Sequence, residues 1–484
     1  MPGHNDSDKL RVAVVGGGCS GALFCVQLAR EARVPVAIEI IEPRSTLGTG
    51  VAYSTRDPAH RVNVPAAKMT AFREHPEHFV EWMRQQGEPA DDPEAWCSSG
   101  HVFPQRSIFG RYVASLVETA RRSHAGVSIE HVRDSAIAIE HRNGVYVLRL
   151  AGGGERVADL LVLAATHPSV TTPRVIALAL GEDALVIRDL WNDDAFNTIA
   201  QSCSVLILGT ALSMADAVAS LDRRGHKGKI IAVSRRGLLS RAHAKDPTPT
   251  TEYLARVPTP SSARKLLRAV RVAVASAERA GHCWQAVLDE ARACAPRLWG
   301  ALTLNERLRF LRHVRAYWDA HRYRVAPQVN AAIQLKLASG SLEVLAGSVL
   351  SVRRRDDRLD VTLRPRRAPQ GAEICRTVDV IVVTTGPDHS AVIERNPAYA
   401  ALARERLIRA DPTGLGIEVD ELSRAVGADG CGNTTLFVAG PLARGRFGEL
   451  MGFPQLAEHA EAVAIQVAAW LDTARRGRAA APGR

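Results

Sequence analysis

No two of the eight cysteines are spaced as Cys-x-x-Cys; they stand at 19, 25, 97, 203, 283, 294, 375 and 431. That excludes the paired dithiol a disulfide reductase needs. No cysteine–histidine spacing fits a zinc site either, so no metal is expected. Aromatic residues make up only 5% of the chain. With no helix-turn-helix, zinc-finger or RNA-binding motif, nucleic acid is not an expected partner. Long apolar runs are missing too. No stretch approaches the roughly 20 residues that cross a bilayer, and the polar start from Met1 to Lys9 has no signal-peptide core. These absences predict a cytoplasmic protein without membrane contact, and they leave the oligomeric state open.

What is present is a chain of 484 residues, long enough for two or three domains. Its net charge of +11 is unevenly spread. Residues 1–150 carry 17 basic and 17 acidic side chains, whereas residues 221–330 carry 22 and 8. A basic middle suits an acidic substrate, a phosphorylated cofactor or simple solubility.

The most informative stretch runs from Arg11 to Gly21. Four apolar residues, Val12 to Val15, lead into Gly16, Gly18 and Gly21 in the spacing G-x-G-x-x-G, and a helical pattern follows. The first glycine makes a tight turn, the second lets a pyrophosphate approach the backbone, and the third lets helix and strand pack closely. Cys19 and Ser20 open the helix at the phosphate turn; Cys19 and Cys25 read as small packing residues. A second strand, Ala37 to Ile41, ends at Glu42, where an acid would hold a ribose hydroxyl. This predicts a dinucleotide site.

Further along, Gly48 to Tyr53 and His60 to Met69 read as loops. Asn63 and Lys68 are candidate flavin or substrate contacts there, with loop capping as the plainer alternative. Helices are expected over 76–86 and 110–120, and Arg106 is either an anion contact or a surface arginine. Residues 127–150 alternate like a hairpin with its turn at Asn143 and Gly144. The strand from Ala158 ends at Thr166, followed by His167 and Pro168 where a glycine would be usual.

A second strand–turn–helix unit follows: Ser204 to Gly209, then Thr210, with Ala211 and Met214 at the later glycine positions. Its next strand ends at Ser234, Arg235 and Arg236. Cations there suit the 2′-phosphate of NADPH, because arginine presents a planar fork to phosphate. Residues 260–325 read as helical, and His313, Asp319, His321 and Arg322 lie where they could line a cleft or form a solvated face. Residues 331–370 read as strands and turns, with Arg353 to Arg355 at one turn. Val378 to Gly386 is a buried strand with a glycine exit, and Thr435 to Gly440 and Pro441 form a late strand–glycine unit before a helix over 455–473. Gly386, Gly440 and Pro441 are thus expected near cofactor, and the tail 475–484 is expected to be disordered.

Taken together the stretches Gly16–Gly21, Gly48–Tyr53 with Asn63–Pro65, Leu208–Asp216, Ser234–Leu238, Tyr317–Arg324 and Thr385–Pro387 resemble the bacterial family of FAD/NAD(P)-binding proteins. More distantly the chain is similar to the ornithine and lysine N-hydroxylases. The Baeyer–Villiger signature Phe-x-Gly-x-x-x-His is absent. The resemblance implies an α/β fold of two Rossmann-like domains: FAD-binding residues 1–200 and 371–474, interrupted by an NAD(P)-binding unit with a helical segment at 201–370. It also implies an NADPH-dependent flavin monooxygenase that uses molecular oxygen through a C4a-hydroperoxide on a small amine, an acidic one suiting the basic middle of the chain, with Asn63, Lys68 and Arg322 as flavin or substrate contacts. A reductase without oxygen insertion and a non-enzymatic nucleotide-binding protein are the alternatives.

Overall fold

In the computed structural model, residues 9–123, 126–165, 170–245, 252–367, 369 and 371–480 are described. Two sheets organise them. The first has six strands in the order Arg424–Val426, Gly432–Val438, Leu160–Leu163, Leu10–Val15, Val36–Ile41, Val127–Val132. Every pairing is parallel except the one at the Arg424–Val426 edge. A parallel sheet is covered on both faces, which is why its central strands are apolar without alternation. Leu160–Leu163 is buried throughout. The helix Cys19–Glu31 is buried from Cys19 to Ala29, held between this sheet and the helix Gln455–Ala480.

The second sheet has seven strands: Ile374–Val378, Arg358–Pro365, Leu342–Arg355, Ile230–Ser234, Val205–Leu208, Val380–Val383 and Val186–Ile187. Its centre is parallel. The long strand Leu342–Arg355 pairs in parallel with Ile230–Ser234 through its first half and antiparallel with Arg358–Pro365 through its second. A small antiparallel sheet, Ala136–Arg142, Val145–Leu150 and Glu155–Ala158, turns at Asn143 and Gly144 with φ of 52° and 80°. Both positive values suit the two-residue hairpin turn expected there. Five helices from Ala263 to Arg322 form the helical segment.

The two-Rossmann α/β reading holds, with local corrections. Val127–Val132 is not half of a hairpin; its apolar face completes the first sheet beside Val36–Ile41. Residues 331–338 are helical, because Pro327 sits at a first turn where its missing N–H costs nothing. Arg353 to Arg355 end a strand, and the turn comes at Asp356 with φ of 52°. Strands Val186–Ile187, Ile374–Val378 and Val380–Val383 belong to the second sheet, so divisions at 200 and 370 would cut it. The last helix continues through Ala480, so residues 475–480 are helical where a disordered tail was expected. Thr166, His167 and Pro168, and residues 481–484, lie outside the described residues.

A polar seam joins the two units. Arg106 starts the helix Arg106–Ser123 and donates to both carboxylate oxygens of Asp216, at 3.0 and 2.8 Å, on the helix Leu212–Arg223. Both side chains are buried. His60 bridges Thr55 Oγ1 and Ser220 Oγ at 2.8 and 3.0 Å, and Arg224 donates to Asp57 at 2.6 Å. Arg106 therefore does meet an anion, and that anion is internal. Removing one partner of a buried pair strands the other charge, so Arg106→Ala should cost about 3–5 kcal/mol. A lower urea midpoint reads the loss. The double variant Arg106→Leu with Asp216→Leu should lose less than either single change, and a larger loss would contradict this.

Candidate functional site

Gly16 has φ of 104°, and a Cβ there would lie 2.6 Å from the Ala165 backbone. At Gly21 a Cβ would lie 2.0 Å from the Gly16 carbonyl oxygen. Gly16 and Gly21 are thus required by backbone approach on both sides of the turn, whereas a Cβ at Gly18 would meet nothing nearer than Gly50 at 3.4 Å. Glu42 is buried behind it. Its Oε2 accepts from the Gly17 N–H at 3.0 Å, and its Oε1 accepts from the backbone and side chain of Arg44, each at 3.1 Å. The carboxylate keeps lone pairs for a ribose while already fixing the turn. Burial pushes the Cys19 and Cys25 thiols up, which keeps both protonated and inert, as packing residues are.

The second unit repeats the device. Gly209 has φ of 130°, and a Cβ would lie 2.4 Å from the Thr384 carbonyl oxygen. Ala211 begins the helix Leu212–Arg223 with φ of −96° and ψ of −155°, extended backbone that alanine adopts freely. Thr210 Oγ1 donates to the Leu238 carbonyl at 2.7 Å and shares a hydrogen bond with Ser234 Oγ at 2.8 Å. Thr210 and Ser234 therefore close the turn on each other. Arg235 is exposed. Arg236 instead donates to the carbonyls of His313 and Arg312, both at 3.2 Å, and stacks over Tyr317. Neither helix that follows a glycine turn has a side-chain cap or an acid in its first turn. Free N–H groups and the positive dipole end are left for phosphate, so both turns fit a dinucleotide.

Gly440, with φ of 89°, sits against Ser20; a Cβ would lie 2.4 Å from Ser20 Oγ. The late strand–glycine unit is thereby brought onto the first glycine turn. Its amide is not free, however. The Gly440 N–H donates to His459 Nδ1 at 3.0 Å, which fixes the tautomer so that Nε2–H donates to Ser423 Oγ at 3.0 Å. Gly386 has φ of 86° and nothing crowding it, so only its conformation asks for glycine.

Residues 13–168 match a family model described as FAD-NAD(P)-binding. No curated protein sequence matches the chain. Among solved structures, the chain is similar to a reduced ornithine hydroxylase from Pseudomonas aeruginosa, at 15% identity and a TM-score of 0.64 over 96% of this chain and 99% of that one. It is similar to an ornithine N-hydroxylase from Kutzneria sp. 744, solved with reduced FAD, NADP+ and L-ornithine, at 16% identity and 0.62 over 96% and 100%. An L-lysine 6-monooxygenase from Pseudomonas syringae aligns at 16% identity and 0.63 over 96% and 99%. At these identities the likeness is one of fold: that of two-dinucleotide-binding flavoproteins.

The FAD-NAD(P)-binding segment supplies Asn63 and Lys68. Lys68 is exposed at the end of the short turn Ala66–Lys68. Asn63 is half-buried, and its backbone carbonyl accepts from His243 Nε2 at 3.0 Å. His243 lines a cavity of about 340 Å³ that also reaches Ala211 and Met214 at the second turn. Arg322 is buried, and its guanidinium donates to Glu449 Oε1 at 2.9 Å. It is therefore committed to a carboxylate of the chain. His313 and His321 line a larger cavity among the helices, whereas Asp319 pairs with Arg315. Sequence reasoning missed His459, His243 and Glu449. Each is defined by a partner far away in the chain, and no local spacing announces such a pairing.

Burial holds the His459 imidazole down near 4, from an ordinary value of 6.5. Between these values the unfolded chain takes up a proton that the folded chain refuses. Stability is therefore intact above pH 6.5 and falls as pH drops toward 4, by on the order of 3 kcal/mol from this residue. Urea midpoints at pH 7 and pH 5 measure it, and His459→Gln should flatten the dependence.

Proposed function

We propose that the protein is an NADPH-dependent flavin monooxygenase that oxidises the nitrogen of an amine. The observation that carries this reading is the paired turn geometry. Gly16 and Gly209 each press on the backbone that leaves a neighbouring parallel strand, Ala165 in one sheet and Thr384 in the other. Such crevices at the carboxyl ends of strands are where dinucleotides bind in open α/β sheets. The fold shared with the ornithine and lysine hydroxylases supports the amine, and the FAD-NAD(P)-binding match supports the flavin.

In this reading Gly16, Gly18, Gly21 and the first-turn amides of Cys19 and Ser20 hold the FAD pyrophosphate, and Glu42 takes the ribose. The turn at Gly209 and Thr210 holds NADPH. Bound FAD, once reduced, supplies the activation of oxygen and its transfer to nitrogen. The chain binds, orients and excludes water. The seam from Arg106 to Asp216 keeps the two turns in a fixed relation, and the buried carboxylate of Glu449 is placed to receive a proton or an N–H. Oxygen uptake driven by NADPH should rise when a competent amine is added, with a product heavier by one oxygen. NADPH oxidation that no amine accelerates would mark a reductase instead.

For the second nucleotide, Arg235 is the cation left to meet a 2′-phosphate, since Arg236 is held by two carbonyls. Losing a charge-assisted hydrogen bond of about 1.5–3 kcal/mol, Arg235→Ala should weaken NADPH roughly tenfold to a hundredfold and leave NADH nearly unchanged. Calorimetric titration of both nucleotides reads this, and equal losses would contradict the assignment.

A further inference from the structure

The larger cavity has a volume of about 940 Å³ and lies within the helical segment. Its walls are mostly apolar, Leu267, Val270 and Val274 from Ala263–Arg279, Trp284 and Leu288 from Trp284–Ala293, and Trp318 from Arg315–Arg322, with Arg271, Glu278, His313 and His321 at their edges. A mostly apolar hollow of this size is larger than a diamino acid needs.

One end is polar, and it comes from a different part of the chain. Glu449 and Arg444 lie there, just before the helix Gln455–Ala480 that packs on Cys19–Glu31. Arg444 is occupied: it donates to the Gly448 carbonyl at 3.3 Å and to Tyr323 Oη at 3.4 Å. Arg315 is paired with Asp319, and the other two arginines of the lining, Arg241 and Arg271, are exposed. Among the described residues lining the cavity, Glu449 alone has a buried side-chain polar atom without a hydrogen-bond partner. Its side chain is 2% exposed; Oε1 accepts from Arg322 and Oε2 accepts from nothing. A buried carboxylate oxygen needs a donor, and a ligand that brings an N–H supplies it.

We infer that this cavity takes an amine with a large apolar group, a long alkyl or arylalkyl chain, its nitrogen at Glu449 and its body among Val270, Leu288 and Trp318. The assignment rests on the monooxygenase reading for its reaction and on the cavity for its ligand. It replaces the small, acidic substrate that the basic middle of the chain suggested. Four of the buried or half-buried arginines there are spent internally, Arg224 on Asp57, Arg315 on Asp319, Arg322 on Glu449 and Arg324 on Asp289.

The test titrates the flavin-loaded protein with 1-aminobutane, 1-aminohexane, 1-aminooctane and 1-aminodecane below their micellar concentrations. Tryptophan fluorescence is the readout, since Trp284, Trp299 and Trp318 line the cavity. Affinity should rise about fourfold per methylene, and 1-aminooctane should bind more tightly than 1-octanol or octanoic acid. Glu449→Gln should erase the preference for the amine over the alcohol. Should that variant fail to fold, Val270→Trp fills the hollow instead and should abolish octylamine binding with the flavin spectrum intact. Flat dependence on chain length, tighter binding of octanoic acid, or tighter binding of L-ornithine would overturn the inference. Amine-dependent oxygen uptake separates the two claims. Alkylamines that bind with the expected slope but provoke no uptake uphold the ligand class and contradict the monooxygenase. Uptake with ornithine and no alkylamine binding does the reverse.

Discussion

The structure depends on two backbone contacts too close for a side chain. Where Leu10–Val15 ends, Gly16 lies against Ala165; where Val205–Leu208 ends, Gly209 lies against Thr384. In each sheet the first strand of the unit sits between two parallel neighbours. The chain must turn sharply there into a helix, and only a residue without Cβ at positive φ can do so. The crevice that results has uncapped helix amides at its floor. Glu42 braces one turn from behind, and Thr210 with Ser234 braces the other.

Two such turns can serve the proposed electron transfer only if they are held together. The seam of Arg106 with Asp216, His60 with Ser220 and Arg224 with Asp57 does this across the junction of the two units. Buried charge pairs add little net stability over apolar packing, but they are intolerant of a misplaced partner. Their value here is in register. The last helix adds a third constraint: through His459 it grips the Gly440 amide and so presses the late strand against Ser20. The first glycine turn is thereby fixed from three separate parts of the sequence.

Much of this was legible in the chain. Val12 to Val15 before Gly16, and Ile38 to Ile41 before Glu42, carry the pattern of strands buried on both faces, and the glycine spacing marks the turn between them. The second unit was readable despite Ala211 because strand, turn and helix recur in order. Other features were hidden for physical reasons. Val127–Val132 alternates like an exposed hairpin strand because it lies at the edge of its sheet. Arg236 looked like a phosphate ligand, yet the end of the helix Leu304–His313 reaches it first with two carbonyls. The cavity is invisible to any motif, since it is the space left between five helices, and Glu449 earns its role only by what it fails to meet.

The central claim is that a flavin held at Gly16 receives electrons from a nicotinamide held at Gly209. The most direct measurement is an anaerobic titration of the purified yellow protein with NADPH, followed at the flavin absorbance band. Stoichiometric bleaching is expected, with a marked loss of bleaching by NADPH in Gly209→Val while the flavin stays bound. A protein that carries no flavin, or a yellow protein that neither NADPH nor NADH bleaches, would contradict it.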